Sequence, residues 1–383
     1  MLESQKSAFY LPDDVSYLNN AYMSPSLKSV EEAGLIGLQK KRLPYEVNIP
    51  DFFEPTEKVR EEFGKIINTS DYKRIVIIPS VSYGMATVAK NLKISAGENI
   101  IIAGEQFPSN VYPWMTLCVE NQAELKIIKS PKENIHRGKQ WNELILEAIN
   151  PKTKLVALGN VHWADGTIFQ LEAIRKRTRE VGALLVIDGT QSVGAMPFDI
   201  QKIQADALIC ASYKWLLGPY SMGLAYYGEY FDGGKPLEEN WINRYESENF
   251  AGLVNYQDKY HEKALRYEVG EHSNFILIPM VKAALQQINQ WGVANIQDYC
   301  SRLVAEPIRI IQEMGYQIES HEYRASHLFG IRLHESFSMD KIKSEFQREK
   351  IHVSFRGNAI RVAVHLYNEK RDMEKLVNCL KSH

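Results

Sequence analysis

The sequence is short of the features that mark secreted, membrane or nucleic-acid-binding chains. Its four cysteines, Cys118, Cys210, Cys300 and Cys379, stand far apart with no CxxC pair. That argues against a zinc site and against a disulfide scaffold, and no metal is expected. No apolar run approaches the roughly 18 residues that suggest a membrane span. The opening residues, MLESQKSAFY, lack a basic region followed by an apolar run, so a signal peptide is not expected and a cytoplasmic location is. Net charge is only -2, which leaves no basic footprint for nucleic acid. Internal repeats and low-complexity linkers are missing too. No stretch fits the phosphate-loop pattern GxxxxGKS or GxxxxGKT, which counts against a nucleotide-hydrolysing site.

A chain of 383 residues is long for one core, so two domains or one elaborated domain is expected. Leu184-Leu185-Val186-Ile187 runs straight into Asp188. It reads as a strand buried on both faces with a carboxylate at its C-terminal end. A second such run, Ala207-Leu208-Ile209-Cys210-Ala211, leads to Lys214. Further strands are expected at 74–78, 99–103, 125–128, 154–158 and 222–227. Helices are expected at 28–42, 54–68, 85–92, 139–149 and 170–181. The alternation from 74 to 227 predicts a mostly parallel sheet. Ligands of such sheets bind beyond the carboxyl ends of the strands. Residues 228–275 show little periodicity, but a structureless loop of that length is uncommon in a compact domain. Helices at 278–291 and 294–313 follow. The strand–helix–strand pattern 328–333, 339–349, 351–355 and 359–363 then predicts a smaller α/β domain. The expected division is a segment 1–22, a large domain 23–258 and a small domain 259–383.

Several candidate residues sit at these strand ends. Ser80-Val81-Ser82 lies between a strand and a helix, where free N–H groups make an anion site; Ser82 reads equally well as an N-cap. Phe107 follows a strand, where an aromatic is more often plain core than ligand-facing. His162 is a lone histidine by a loop, more often structural than catalytic. The segment Tyr17-Leu18-Asn19-Asn20-Ala21 opens a turn that leads into a helix. Arg356 and Arg361 flank a short strand turn, where a surface role is as plausible as a ligand.

The order Asp188, Gln191, Lys214 resembles the class V aminotransferase family of pyridoxal-phosphate enzymes. That family belongs to fold type I and includes kynureninases, isopenicillin-N-epimerase-like proteins and cysteine desulfurases. The resemblance implies an α/β fold: a large domain with a mostly parallel seven-stranded sheet and a smaller C-terminal α/β domain. It implies pyridoxal phosphate on Lys214 as a Schiff base, with Asp188 opposing the pyridine nitrogen. Gln191 would donate to the ring oxygen O3′, with Trp163 on the same side. Ser80, Val81, Ser82 and the Tyr213 hydroxyl would hold the phosphate. Phe107 would stack on the ring, where desulfurases carry histidine, and so could not move protons. Asn20 and Ala21 match the family's YLNNA or YLDNA opening and would border the substrate. Arg361, in Arg-x-x-x-His-Leu-Tyr-Asn, would grip the substrate α-carboxylate as a planar fork; Arg356 is a second candidate. The run 266–274 resembles the family's RFExGT-N segment, implying a homodimer with shared active sites. There Gly270, with His272 or Ser273, would reach the neighbour's phosphate. Glu271 replaces the family threonine and should point away, because a carboxylate repels a phosphate.

The implied activity is a reaction on an amino acid that begins with transfer of the Cα proton to Lys214. Transamination ranks first; epimerisation and kynureninase-like or C–S lyase chemistry are alternatives. Desulfuration ranks lower, because it needs a cysteine on a mobile loop and residues 320–336 and 352–360 contain none. A protein of this fold that binds without turnover is the reading from another class, and the intact Asp188, Gln191 and Lys214 count against it. Neither the substrate side chain nor the roles of His162 and Asp165 follow from the sequence.

Overall fold

A computed structural model describes residues 2–131, 136–333, 338–357 and 359–381. The chain opens with a two-residue strand, β1 (Ser16–Tyr17), and the helices α1 (Lys28–Lys40) and α2 (Glu54–Ile67). Strands and helices then alternate: β2 (Ile75–Ile78), α3 (Val81–Asn91), β3 (Asn99–Ala103), α4 (Tyr112–Glu120), β4 (Glu124–Ile128), α5 (Arg137–Ala148), β5 (Thr153–Gly159), α6 (Leu171–Val181), β6 (Leu184–Asp188), α7 (Ile200–Ile203), β7 (Ala207–Ala211) and β8 (Gly223–Tyr227). Beyond an irregular stretch come α8 (Leu277–Trp291), α9 (Val293–Glu313), β9 (Leu328–Arg332), α10 (Met339–Arg348), β10 (Ile351–His352), β11 (Ser354–Arg356), β12 (Ala359–Ala363) and α11 (Lys370–Lys381).

The main sheet has seven strands in the order β2-β8-β7-β6-β5-β3-β4. Only β8 runs antiparallel to its neighbours. The mostly parallel α/β architecture is therefore as expected. Its inner strands are apolar throughout because helices cover both faces. Leu185 and Ile187 of β6 pack into a core with Phe63 of α2, Trp141 of α5 and Ile174 of α6. Val186, between them, faces the opposite core with Met85 of α3 and Trp114 of α4. The period of two along the strand thus feeds two cores.

Several helices depart from expectation, α7 and α11 being absent from it altogether. α3 starts four residues early because Ser80, not Ser82, is its cap: Ser80 Oγ accepts from the Tyr83 amide at 3.2 Å. α4 is hidden in the sequence, since Pro113 reads as a breaker; it sits in the first turn, where a missing N–H costs nothing. The regular structure expected in 228–275 is also not found. That stretch consists of turns and short 3-10 helices, among them Trp241–Asn243 and Lys263–Tyr267. Polar side chains take over the role of a ladder. Asn240 and Asn249 cap main-chain amides, and Phe52, Phe53, Trp241 and Phe250 interlock edge to face. The stretch covers the β2 edge of the sheet: the Val269 amide donates to Ile77 O at 3.2 Å, and the Ile77 amide donates to Glu268 Oε1 at 2.9 Å. Glu268 also makes a buried ion pair with Arg60 of α2.

The C-terminal part has an antiparallel sheet, β11-β12-β9, with α9 packed on α11. The N-terminal segment joins this part rather than the large sheet: β1 pairs with β10, and Asn19 bridges to Ala363.

Asp165 ties the two sheets together and gives His162 its role. Asp165 lies just beyond β5, and its Oδ2 accepts from Arg137 and Arg332, each at 2.5 Å. Its Oδ1 meets His162 Nδ1 at 3.2 Å and accepts from Thr167 Oγ1 at 2.9 Å. Its main-chain oxygen accepts from Gly330 of β9 at 2.9 Å. Burial alone would raise this carboxyl; His162, Arg137 and Arg332 outweigh it and hold the group well below its ordinary range. Gly166 follows at φ 78°, and a Cβ there would stand 2.0 Å from Leu328 O, so only glycine allows the approach. Asp165→Asn should destabilise the protein by about 3–5 kcal/mol, because it strands buried guanidinium charge. The contribution of an acidified carboxylate is present above its unfolded pKa and fades as pH falls. Urea titrations should therefore show the gap to wild type narrowing below about pH 4; a gap unchanged between neutral and acid pH would count against this account.

Candidate active site

A cavity of about 220 Å³ opens at the carboxyl ends of the parallel strands. Five strand ends supply its wall: Ser80 and Ser82 after β2, Phe107 after β3, Trp163 after β5, Asp188 closing β6 and Lys214 after β7. Val81, Gln191 and Tyr213 line it as well. Residues spread over more than 130 positions converge because parallel strands put their C-termini on one side.

Lys214 is 6% exposed, and among the described residues its amine makes no hydrogen bond. Its Nζ stands 5.3 Å from the Phe107 ring centroid and 5.4 Å from that of Tyr213. Desolvation brings the amine down to about 8; Asp188 opposes this, while Arg361 and Arg356 reinforce it. Asp188 accepts from the Thr190 amide at 3.0 Å. Burial raises its carboxyl above the ordinary range, against Thr190 and Lys214. The site therefore holds an amine that is easily deprotonated near neutrality. Beside it is a carboxylate that a further N–H donor would stabilise.

Behind the cavity the lysine loop is pinned from several sides. Trp215 Nε1 donates to Gln191 Oε1 at 2.8 Å, and Gln191 Nε2 donates to Ala21 O at 3.1 Å. The amide is thereby oriented with one N–H left over. His327 Nε2 donates to Gln191 O at 2.8 Å, and burial takes this imidazole down to about 4, so it is neutral. Asn20 Nδ2 donates to Lys214 O at 3.2 Å, and the Tyr367 hydroxyl donates to Asn20 Oδ1 at 3.1 Å. Asn20 and Ala21 are thus buried behind the loop and are not among the residues lining the cavity. The reason is that their polar atoms are consumed in bracing the loops that carry Lys214 and Gln191.

At the other end, Ser80 Oγ and Ser82 Oγ lie 2.8 Å apart at the start of α3. A helix leaves its first amides without partners of its own, and these are next to the cavity. Tyr213 is half-buried, its ring 4.6 Å from Tyr220. Thr190, Tyr220 and Ser221 also line the cavity, and no sequence pattern marks them. Ser221 carries a signal only in the structure, a φ of 64°.

Arg361 and Arg356 adjoin the cavity across Trp163 rather than lining it. Their guanidinium carbons stand 5.9 and 5.1 Å from the Trp163 ring centroid. Arg361 is buried; it donates to Trp163 O at 2.9 Å and to Ser354 Oγ at 3.1 Å. Burial and Arg356 bring it down to about 9. Gly270 and Ser273 do not line this chain's cavity; the Gly270 amide donates to Glu238 Oε2 at 2.6 Å. Glu271 is exposed, 3.4 Å from Trp241 Nε1. His162 is also outside: its Nε2 lies 3.3 Å from Gly104 O and its ring 4.9 Å from Trp141.

All four cysteines are buried. Burial pushes the Cys300 thiol up to about 12 and Cys379 to about 11. Residues 334–336 of the stretch 320–336 lie outside the described residues, as does Asn358.

The family model "Aminotransferase class-V" matches residues 50–376. The uncharacterized aminotransferase YcbU of Bacillus subtilis is 27% identical over 336 residues, covering 86% of this chain and 84% of that one. A cysteine desulfurase of Klebsiella pneumoniae is 26% identical over 267 residues, 67% of this chain and 63% of its own length. Among solved structures, the cysteine desulfurase CsdA of Escherichia coli superimposes with a TM-score of 0.81 at 18% identity, covering 98% of this chain and 96% of that one. A variant of C-DES with glycine covalently linked to its pyridoxal-phosphate cofactor gives 0.86 at 16% identity, covering 98% of each chain. The cavity's residues fit that cofactor. A deprotonatable amine meets an aldehyde, a carboxylate short of a donor meets a pyridinium N–H, and a helix start with two hydroxyls meets a phosphate. With its family model matched over most of its length, the chain belongs to the aminotransferase class-V family and is a pyridoxal-phosphate-dependent enzyme.

Proposed function

We propose that the enzyme transaminates an amino acid, with Lys214 as the base for the Cα proton. One observation carries this reading: a buried Lys214 amine, held near 8, faces Asp188 in a cavity that none of the four buried cysteines lines. When bound, pyridoxal phosphate supplies an aldehyde for amines and a ring that draws electrons from the α-carbon of a linked amino acid. Asp188 keeps the proton on the pyridine nitrogen by setting a carboxylate against it. Gln191 offers its remaining N–H to the ring oxygen O3′. Ser80, Val81, Ser82 and the Tyr213 hydroxyl bind the phosphate. Phe107 covers a ring face and excludes water. Arg361 orients the substrate by its α-carboxylate, and the freed Lys214 amine takes the Cα proton. Epimerisation and C–S lysis share this proton transfer and diverge from transamination only after it.

The same reading includes a homodimer, supported by two features. Gly270 and Ser273 lie away from their own chain's cavity, and α1 leaves Leu35, Ile36 and Leu38 more than half exposed. It also includes a cytoplasmic location, consistent with the four unpaired cysteines; among the described residues no helix is long and apolar enough to cross a membrane.

Borohydride reduction of the holoenzyme followed by peptide mapping should find the pyridoxyl group on Lys214, and a label on another lysine sinks the assignment. Given its amino acid without a keto acid, the enzyme should bleach to the pyridoxamine form and stop. Continued turnover would identify epimerisation or elimination instead, and steady sulfide release from cysteine would overturn the ranking.

Arg361→Ala removes one partner of a buried charged pair, an effect of roughly 2–5 kcal/mol. Amino-acid binding should weaken by about 30- to several-thousand-fold, with cofactor retention nearly unchanged. Wild-type affinity in that variant would remove Arg361 from the site.

In cofactor-free protein the Lys214 amine should react with trinitrobenzenesulfonate with a midpoint near pH 8. The negative charge of Asp188 raises that midpoint, so Asp188→Asn should lower it. A midpoint that stays put or rises contradicts the electrostatic account.

A further inference from the structure

We infer that the substrate is an amino acid with a second anionic group on a short side chain, and that Arg356 is the residue that reads that group. The inference rests on the amino-acid reading above and narrows it to a substrate class.

Among the described residues around the cavity are three cations, Lys214, Arg356 and Arg361, and one carboxylate, Asp188. Among the described residues neither arginine has a carboxylate within ion-pair reach, although this chain pairs most of its buried arginines. Arg60 meets Glu268, Arg74 meets Asp232, and Arg137 meets Asp165. On the reading above the cofactor's phosphate is taken by Ser80 and Ser82 at the start of α3, and among the described residues neither serine bonds to either arginine. A substrate α-carboxylate answers one of them. The other remains a desolvated cation beside a like charge, an arrangement that a second anion would relieve.

Geometry assigns the two roles. Ser354 pairs with Arg361 and Arg356 pairs with Ala359 across the β11–β12 hairpin. Residues 354, 356 and 361 therefore share one face, with the arginines as diagonal neighbours. Both guanidinium groups lie over the ring of Trp163, which lines the cavity. Arg361 is fixed by Trp163 O and Ser354 Oγ, as suits an anchor for the group common to all amino acids. Arg356 is looser. It is half-buried and, among the described residues, donates only to Phe355 O at 2.8 Å and has a buried Nε without a partner. A side chain with free donors and the freedom to reorient suits the variable part of a substrate.

Isosteric pairs provide the test, because they differ only in charge. Holoenzyme is titrated with L-aspartate, L-asparagine, L-glutamate and L-glutamine, reading the change in the visible band of the bound cofactor. At least one acidic amino acid should bind about tenfold or more tightly than its amide. Arg356→Gln should weaken the acidic member about ten- to a hundredfold and leave the amide unchanged, while Arg361→Ala weakens both. Arg356→Lys keeps the charge but loses the fork, and should recover part of the preference; it also stands in if the glutamine variant does not fold. A wild-type preference for the amides overturns the inference. So does an Arg356→Gln variant that weakens acid and amide alike, which would mean that both arginines hold the α-carboxylate. If none of the four alters the band, the inference is overturned, while a response to another amino acid such as L-alanine or L-cysteine would leave the amino-acid reading standing and no response to any would sink both.

Discussion

One constraint organises this molecule: the lysine at the carboxyl end of the sheet is buried, yet remains an amine that can be neutral or charged. Burial of Lys214 lowers its affinity for a proton, and Asp188, on the adjacent strand end, limits how far. The parallel pairing of β6 with β7 places the two groups side by side, with Asp188 opposite Ile209. Without the apolar walls the amine would sit near its ordinary value, and without the carboxylate it would fall further. Phe107 and Tyr213 turn ring faces toward the amine, contacts that favour its charged form and so work with Asp188 against the lowering.

Holding that pair in place takes a brace at the back and a tie between the sheets. The brace runs from Trp215 through Gln191 to Ala21, and from Asn20 to the main chain of Lys214. It links the N-terminal segment, which belongs structurally with the C-terminal sheet, to the loop that carries the lysine. The tie is Asp165, whose carboxylate joins Arg137 of the large sheet's helix layer to Arg332 of the small sheet. Together they set how the arginine-bearing hairpin sits over Trp163. The arginine-bearing hairpin and the lysine loop are thus coupled through buried polar contacts rather than through one continuous element.

The absence of accessible thiols among the described residues gives the site a chemical boundary. Relatives with a desulfurase name share the fold and part of the sequence, but here Cys118, Cys210, Cys300 and Cys379 are packed into helices and strands with their thiols pushed upward. A thiol held protonated is a poor nucleophile. What surrounds the cavity instead is cationic and aromatic.

How much of this is legible in the sequence depends on whether neighbours along the chain are also neighbours in space. The apolar runs ending in Asp188 and leading to Lys214 determined buried parallel strands, because nothing else hides such runs from water. Their order along the chain determined that the two side chains share one sheet end. The helices flanking them came from spacing of the same local kind. The structure alone decided features that depend on distant partners. Residues 228–275 stay irregular because asparagine caps, interlocked rings and the Arg60–Glu268 pair replace a ladder. Asn20 and Ala21 turn away from the cavity because Lys214 and Gln191 recruit their polar atoms. His162 and Asp165 become a junction rather than a catalytic pair because Arg137 and Arg332 arrive from elements 28 and 167 positions away. Periodicity records which residues avoid water; it does not record which buried polar atom meets which, and that matching is what tertiary structure settled.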